Sequence, residues 1–298
     1  MDKKSVVIAG LGLLGGSLGL ALKDKYFRIG WARRQETLEE ALTMDAVDAV
    51  ENDLPAALGK ADIVVLALPV PVIVEFLPLC RKFCKADAVI TDIGSIKGQI
   101  ITAAEASFTE SAGPWFVGSH PMAGTEKSRL SAAFAALYDN ADVFITPSCT
   151  ASAEAVDRIT ELWQSIRCHT SVIDAEHHDI LVASTSHVLH VVASALASSI
   201  LGGKSEEEKR LRFRGCATGF RDTCRIASSS PLMWREIISS NREAVLAALG
   251  DFEKSLAEFH KMIEADDFDR FEEVFARGKE LRDQWLDYKN SNLKQIQK

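Results

Sequence analysis

Residues 6–9, Val-Val-Ile-Ala, run directly into Gly10-Leu11-Gly12-Leu13-Leu14-Gly15, and a helix-forming stretch comes next. An apolar strand, a glycine-rich turn and a helix in that order leave few folds open. The first glycine permits a tight turn, and the second lets backbone N–H groups approach a pyrophosphate. The third lets helix and strand pack closely at a helix N-terminus, whose dipole favours anions. Gly10, Gly12, Leu13, Leu14 and Gly15 are therefore candidate dinucleotide-binding residues. A bare glycine-rich turn is the plain alternative, and the strand before it and helix after it argue against that.

The pattern continues as a doubly wound sheet should. Short β-branched runs at 5–9, 27–32, 62–68, 87–91, 116–118, 142–146 and 169–173 alternate with helical stretches, the signature of parallel βαβ units. Several runs are apolar without alternation, as strands covered on both faces are. Beyond Asp174 the period changes. Val245, Leu249, Phe252, Leu256, Phe259 and Ile263 fall on one helix face, and Phe271, Val274, Leu281, Trp285 and Tyr288 continue in the same style. The expectation is an α/β then all-α chain, with a dinucleotide-binding domain at 1–173 and a helical domain at 174–298. The charged stretch 204–214 reads as a loop or exposed helix.

Composition removes several classes of function. The chain has 298 residues, 34 basic against 42 acidic side chains, and no basic block, which argues against duplex nucleic acid. The apolar stretch 6–22 mimics a secretory signal, but its five glycines and the α/β pattern beyond it argue otherwise. Apolar stretches 63–74 and 188–201 fall short of the ~20 residues a bilayer needs, so no membrane span is expected. Six scattered cysteines show neither a CxxC pair nor zinc spacing, which fits reduced thiols and a cytoplasmic protein.

Four further segments carry candidate chemistry. After the second strand, where an NAD enzyme places Asp or Glu on the ribose, the chain reads Gly30-Trp31-Ala32-Arg33-Arg34. Arg33 and Arg34 suit a 2′-phosphate, which favours NADP over NAD; solvated arginines at a helix start are the alternative. Thr91-Asp92-Ile93-Gly94-Ser95-Ile96-Lys97 lies at the carboxyl edge of the sheet, where Ser95 and Lys97 could face nicotinamide or substrate; an N-cap with a glycine turn is the competing account. Gly118-Ser119-His120-Pro121-Met122-Ala123-Gly124-Thr125-Glu126 places His120 in a loop, free to titrate near its ordinary ~6.5 and to accept a hydroxyl proton, so that activity rises with pH through that region. Thr185-Ser186-His187-Val188-Leu189-His190 puts two imidazoles on one helix face. Glu176, His177 and His178 lie nearby in sequence, but no zinc motif appears, and no metal is expected. Last, Gly219-Phe220-Arg221-Asp222-Thr223-Cys224-Arg225-Ile226-Ala227 precedes Pro231-Leu232-Met233-Trp234. Its arginines suit a carboxylate, with an Arg221–Asp222 network as the structural alternative.

Taken as an ordered set covering nearly the whole chain, these motifs resemble the prephenate/arogenate (cyclohexadienyl) dehydrogenase family of tyrosine biosynthesis. The resemblance implies a Rossmann domain, a helical domain that forms a homodimer, and oxidative decarboxylation of prephenate or L-arogenate with NADP or NAD. By motif position His120 matches the family's catalytic histidine and Ser95 the serine assisting it. His190 and Arg225 match residues that engage substrate, Arg225 as carboxylate partner; Trp234 matches an aromatic near that site, and His187 the first histidine of the pair. Two features depart from the family: Val188-Leu189 stands where many members have Leu-Pro, and no acid follows the second strand. Two readings compete: another two-domain NADP oxidoreductase, of the β-hydroxyacid dehydrogenase or imine reductase type, and a non-catalytic NADP-binding regulator. The first generally uses a lysine in the helical half, and this chain offers histidines there; the second would have no need of Ser95, His120 and Arg225 together.

Overall fold

A computed structural model describes residues 3–296 except 111, 126 and 204, with side chains described to residue 291. Glu126, the last residue of the His120 motif, and Lys204, the first of the charged stretch, lie outside the described residues. The chain packs as two compact units, 1–242 and 243–298.

The first unit is built on an eight-stranded sheet of order β3-β2-β1-β4-β5-β6-β7-β8. Its strands are β1 Ser5–Ala9, β2 Phe27–Trp31, β3 Ala49–Val50, β4 Ile63–Leu66, β5 Val89–Asp92, β6 Trp115–Pro121, β7 Asp142–Pro147 and β8 His169–Val172. All neighbours run parallel except β6 and β7. That antiparallel pair departs from the all-parallel pattern expected. Among the described residues of 122–141, between the two strands, there are two short 3₁₀ turns, Leu130–Ala132 and Ala135–Tyr138, and no crossover helix. A chain that returns without such a crossover pairs antiparallel.

Helices α1 Leu13–Ala21, α2 Gln35–Thr43 and α6 Ala153–Ser165 cover one face, where Val6, Ile8 and Ile63 meet Leu18, Leu38 and Trp163. On the other face Val7, Ala9 and Val64 meet Leu58, Ile73 and Ile100 of α3 Leu54–Lys60, α4 Val70–Phe83 and α5 Gly98–Ser107. Alternate residues of one strand thus feed two cores, which explains the unbroken apolar runs. The sheet reverses its direction of winding between β1 and β4, and open α/β sheets bind ligands outside the carboxyl ends of strands at such a point.

The secondary structure changes after residue 173, while the division in packing falls at 242. A continuous helix, Ala175–Leu201, opens the helical half and is long and apolar enough to cross a membrane by length and composition. It is longer than the 188–201 stretch expected, because α7 Ala175–Val182 joins α8 Val188–Leu201 through a π-helical turn at Ala183–His187. Then come α9 Glu206–Gly215, an exposed helix, α10 Thr218–Cys224 and α11 Pro231–Ser240.

The second unit holds α12 Arg242–Glu264, apart from its first residue, and α13 Phe268–Ile296. Near their junction Phe259 and Phe271 meet edge to face at 5.5 Å, and Arg270 reaches Glu258 at 3.3 Å. Along the expected stripes Leu256, Ile263, Leu281 and Trp285 are all more than half exposed in the single chain.

Candidate active site

The glycine-rich turn behaves as its steric demands require. Gly10 sits at φ +104°, which favours glycine, and a Cβ there would lie 2.2 Å from the carbonyl oxygen of Ala67 just beyond β4. A Cβ on Gly15 would lie 1.9 Å from the Gly10 oxygen, so helix and turn are in backbone contact. Gly12 is the N-cap of α1, has no side-chain cap, and a Cβ there would meet nothing within 4 Å. The N–H groups of the first turn, Leu13 and Leu14 among them, have no intrahelical acceptor. A tight turn, an open approach and unpaired donors at a helix N-terminus together fit the pyrophosphate of a dinucleotide. Arg33 and Arg34 follow β2, both exposed, and Arg34 is the N-cap of α2. Among the described residues neither has a carboxylate partner.

At the end of β5 the expectation divides. Ser95 is half-buried in the connection to α5. Lys97, expected to face cofactor or substrate, is instead completely buried: Nζ is ion-paired with Asp92 and donates to the Ser119 carbonyl at 2.9 Å. Asp92 also accepts from the N–H of Gly94 at 2.7 Å, and the Ser119 hydroxyl donates to the Asp92 carbonyl at 2.6 Å. An unpaired buried ammonium is too costly to leave, and the pair locks β5 to β6 beneath the site. Burial pushes the Lys97 ammonium below its usual range, with Asp92 opposing.

His120 also differs from expectation. It belongs to β6, which extends through Pro121, and its backbone faces Phe144 of β7. Proline and glycines suggested a loop, but Pro121 closes the strand opposite Val143 of β7. The imidazole is only 9% exposed. Burial, followed by the neighbouring His178, Lys97 and His187, holds its pKa well below the usual histidine value, so the ring is neutral.

His178, which the sequence offered only as a weak metal candidate, is the residue missed. It is fully buried, and its Nε2 lies 2.8 Å from His120 Nδ1, the two rings sharing a hydrogen bond. Its Nδ1–H donates to Asp179 Oδ1 at 2.8 Å. That carboxylate also accepts the backbone N–H groups of Lys97 at 2.7 Å and Gly98 at 2.8 Å, so it caps the N-terminus of α5 from another helix. Burial raises the Asp179 pKa, but these donors outweigh it and hold the carboxyl below its usual range.

The remaining candidates adjoin this pair. The π turn adds one residue to its helix, which rotates the residues beyond it and brings His187 to the side already used by His178. Asn241 Nδ2 donates to the Asp179 carbonyl at 2.7 Å and to His187 Nδ1 at 3.2 Å. Burial is the main cause that pushes the His187 pKa down to about 4. Trp234 of α11 takes the edge of His187 at 5.8 Å and stacks on His190 at 3.8 Å, while His190 Nδ1–H donates to the Ser186 carbonyl at 3.1 Å. Arg225, exposed at the end of α10, lies close enough to oppose His190 protonation. The indole N–H of Trp234 is buried with no acceptor among the described residues. His120, His178, His187, Trp234, His190 and Arg225 thus form one connected run. Arg221 pairs with Asp222 at 3.1 Å on the surface, as the structural alternative held. Among the described residues no group of three His, Cys, Asp or Glu side chains is placed to hold a metal ion.

Comparison with known proteins covers both halves. Residues 18–172 match the family model "prephenate dehydrogenase, nucleotide-binding domain", and residues 174–277 match "prephenate dehydrogenase, dimerization domain". The chain is 32% identical to the prephenate dehydrogenase of Bacillus subtilis (strain 168), over 94% of this chain and 76% of that protein. It is 31% identical to the cyclohexadienyl dehydrogenase of Zymomonas mobilis, over 94% and 95%. Among solved structures, prephenate dehydrogenase from A. aeolicus in complex with hydroxyphenyl propionate and NAD+ superposes with a TM-score of 0.84 at 29% identity, covering 97% of this chain and 99% of that one. With two family models spanning most of its length and relatives above 30% identity, the chain belongs to the prephenate dehydrogenase family.

Proposed function

We propose that this protein oxidatively decarboxylates prephenate, L-arogenate or both, giving 4-hydroxyphenylpyruvate or L-tyrosine, with NADP+ as the favoured acceptor. The observation that carries this reading is a buried neutral imidazole, His120, at the end of a central strand beside a run of histidine, tryptophan and arginine side chains. A nicotinamide held at the glycine-rich turn would supply the acceptor for the hydride from the ring carbon that bears the hydroxyl. His120 accepts the hydroxyl proton, and Ser95 helps to orient that hydroxyl. Arg225 binds a substrate carboxylate, His190 and His187 line the pocket, and the indole N–H of Trp234 supplies a further donor. Loss of the ring carboxylate as CO₂ gives an aromatic ring, whose stability drives the reaction, so the protein's task is positioning and charge.

Gly10, Gly12, Leu13, Leu14 and Gly15 hold the pyrophosphate, and Arg33 and Arg34 hold a 2′-phosphate. The functional division falls at 173, with 1–173 holding cofactor and 174–298 holding substrate and forming a homodimer. Support for the dimer comes from the exposed apolar side chains of α12 and α13 and from the dimerization-type family match. The free cysteine thiols suit a cytoplasmic protein.

The test is formation of reduced nicotinamide by purified protein with prephenate or L-arogenate, comparing NADP+ with NAD+. The expected result is turnover with at least one substrate and a lower KM for NADP+. Absence of turnover with every combination removes this reading. Arg33→Ser with Arg34→Ser should raise the KM for NADP+ about 10–100-fold, the weight of one or two charge-assisted bonds, and leave that for NAD+ nearly unchanged.

A further inference from the structure

We infer that His178 is a positioning residue for His120: by accepting the Nδ1 proton of His120 in a hydrogen bond, it fixes the tautomer that presents an unprotonated Nε2 to the substrate. This role rests on the function proposed above and goes further, because it belongs to a side chain that does not itself touch the reacting atoms.

One chain of bonds places each proton. Asp179 is surrounded by donors, with the Lys97 N–H and His178 Nδ1–H on Oδ1 and the Gly98 N–H on Oδ2. A carboxylate so placed can only accept, which puts the His178 proton on Nδ1. A neutral imidazole then has a lone pair at Nε2, and the group 2.8 Å away, His120 Nδ1, must be the donor. His120 is left with Nε2 as its only acceptor. The other arrangement, a doubly protonated His178, would bury a cation beside Lys97, His120 and His187.

The geometry around the pair is over-determined. Phe144 holds the His178 ring edge-on at 5.8 Å, and the rings of His120 and His178 meet at 66°. A Cβ on Gly98 would lie 2.9 Å from Asp179 Oδ2, so only glycine there admits the carboxylate at its present depth. When His120 takes the substrate's hydroxyl proton on Nε2, it holds protons on both nitrogens, and its Nδ1–H continues to donate to His178. No proton passes to Asp179. The ionised carboxylate stabilises the imidazolium through the intervening ring.

Two measurements test this. In nitrogen NMR of histidine-labelled protein without substrate, His120 should show a protonated Nδ1 and an unprotonated Nε2, its signals identified by their loss in His120→Asn. The opposite tautomer overturns the inference whether or not the enzyme turns over, so failure here is distinct from failure of the proposed function. In kinetics, His178→Leu should lower kcat about 10–100-fold with cofactor KM within about twofold, whereas His178→Gln, whose side-chain oxygen can accept from His120, should recover most of that loss. A His178→Leu enzyme with kcat within about twofold of the parent overturns it, and so does equal impairment of the Leu and Gln variants. Should His178→Leu fail to fold, the NMR measurement on the unaltered chain decides alone.

Discussion

His120 illustrates how far burial moves a single residue's chemistry. In a loop it would lose activity as pH falls through ~6.5. Buried beside His178, Lys97 and His187, its pKa is held well below that value, so the acid limb of kcat/KM is expected below pH ~6.5, measured across a pH series with the natural substrate. An acid limb at or above the ordinary histidine value would contradict the effect of burial. His120→Asn should lower kcat by about 10²–10⁴-fold with little change in cofactor KM. The same burial has a cost in stability. His187 titrates at about 4 when folded and near 6.5 when unfolded, so between those values the unfolded chain binds more protons. Stability is complete above ~6.5 and falls as pH drops toward about 4, by on the order of 3 kcal/mol from this group. His120 and His190, also shifted down, add in the same direction. Denaturant titrations between these pH values check this, and in His187→Asn the fall should be shallower.

At the scale of elements, the glycine-rich turn separates two kinds of glycine. Gly15→Ala forces a methyl into the Gly10 carbonyl and should destabilise the fold by about 1–3 kcal/mol. Gly12→Ala meets nothing in the chain, so its melting temperature should stay near the parent's while cofactor affinity falls, because the methyl occupies the approach to the helix N-terminus. Calorimetry and cofactor titration on the two variants distinguish packing from binding. This turn was legible in sequence because its demands are local and contiguous. β3 was not, since two residues carry no period, and neither was the extension of β6 through His120, where a proline mimicked a loop. Lys97 and His178 were misjudged or missed for a different reason. Each has an acid close by in sequence, Asp92 for Lys97 and Asp179 for His178, but the groups that fix them in the site, Ser119 and His120, lie 22 and 58 residues away, and a nearby acid does not mark a lysine or histidine for full burial.

For the whole molecule, the exposed side chains of the second unit set the expectation. Leu256, Ile263, Leu281 and Trp285 are 51–59% exposed in one chain, and exposed apolar side chains that form a patch mark an interaction site. Light scattering should give a mass about twice that of one chain, and Leu256→Glu combined with Trp285→Glu should shift it toward the monomer. Unchanged mass in that variant would place the interface elsewhere. The sequence revealed these stripes by period but not their fate, because periodicity shows which face is apolar and not what covers it.

Asp179 has one more consequence. The carboxylate that settles the proton on His178 also seals the first turn of α5, so the helix opening the all-α half interlocks with the sheet at the point that governs the imidazole's tautomer. On the proposed mechanism, a chain in which that helix has not seated lacks a correctly poised base. Turnover can therefore serve as a readout of folding, recovered only as the two halves of the first unit come into register.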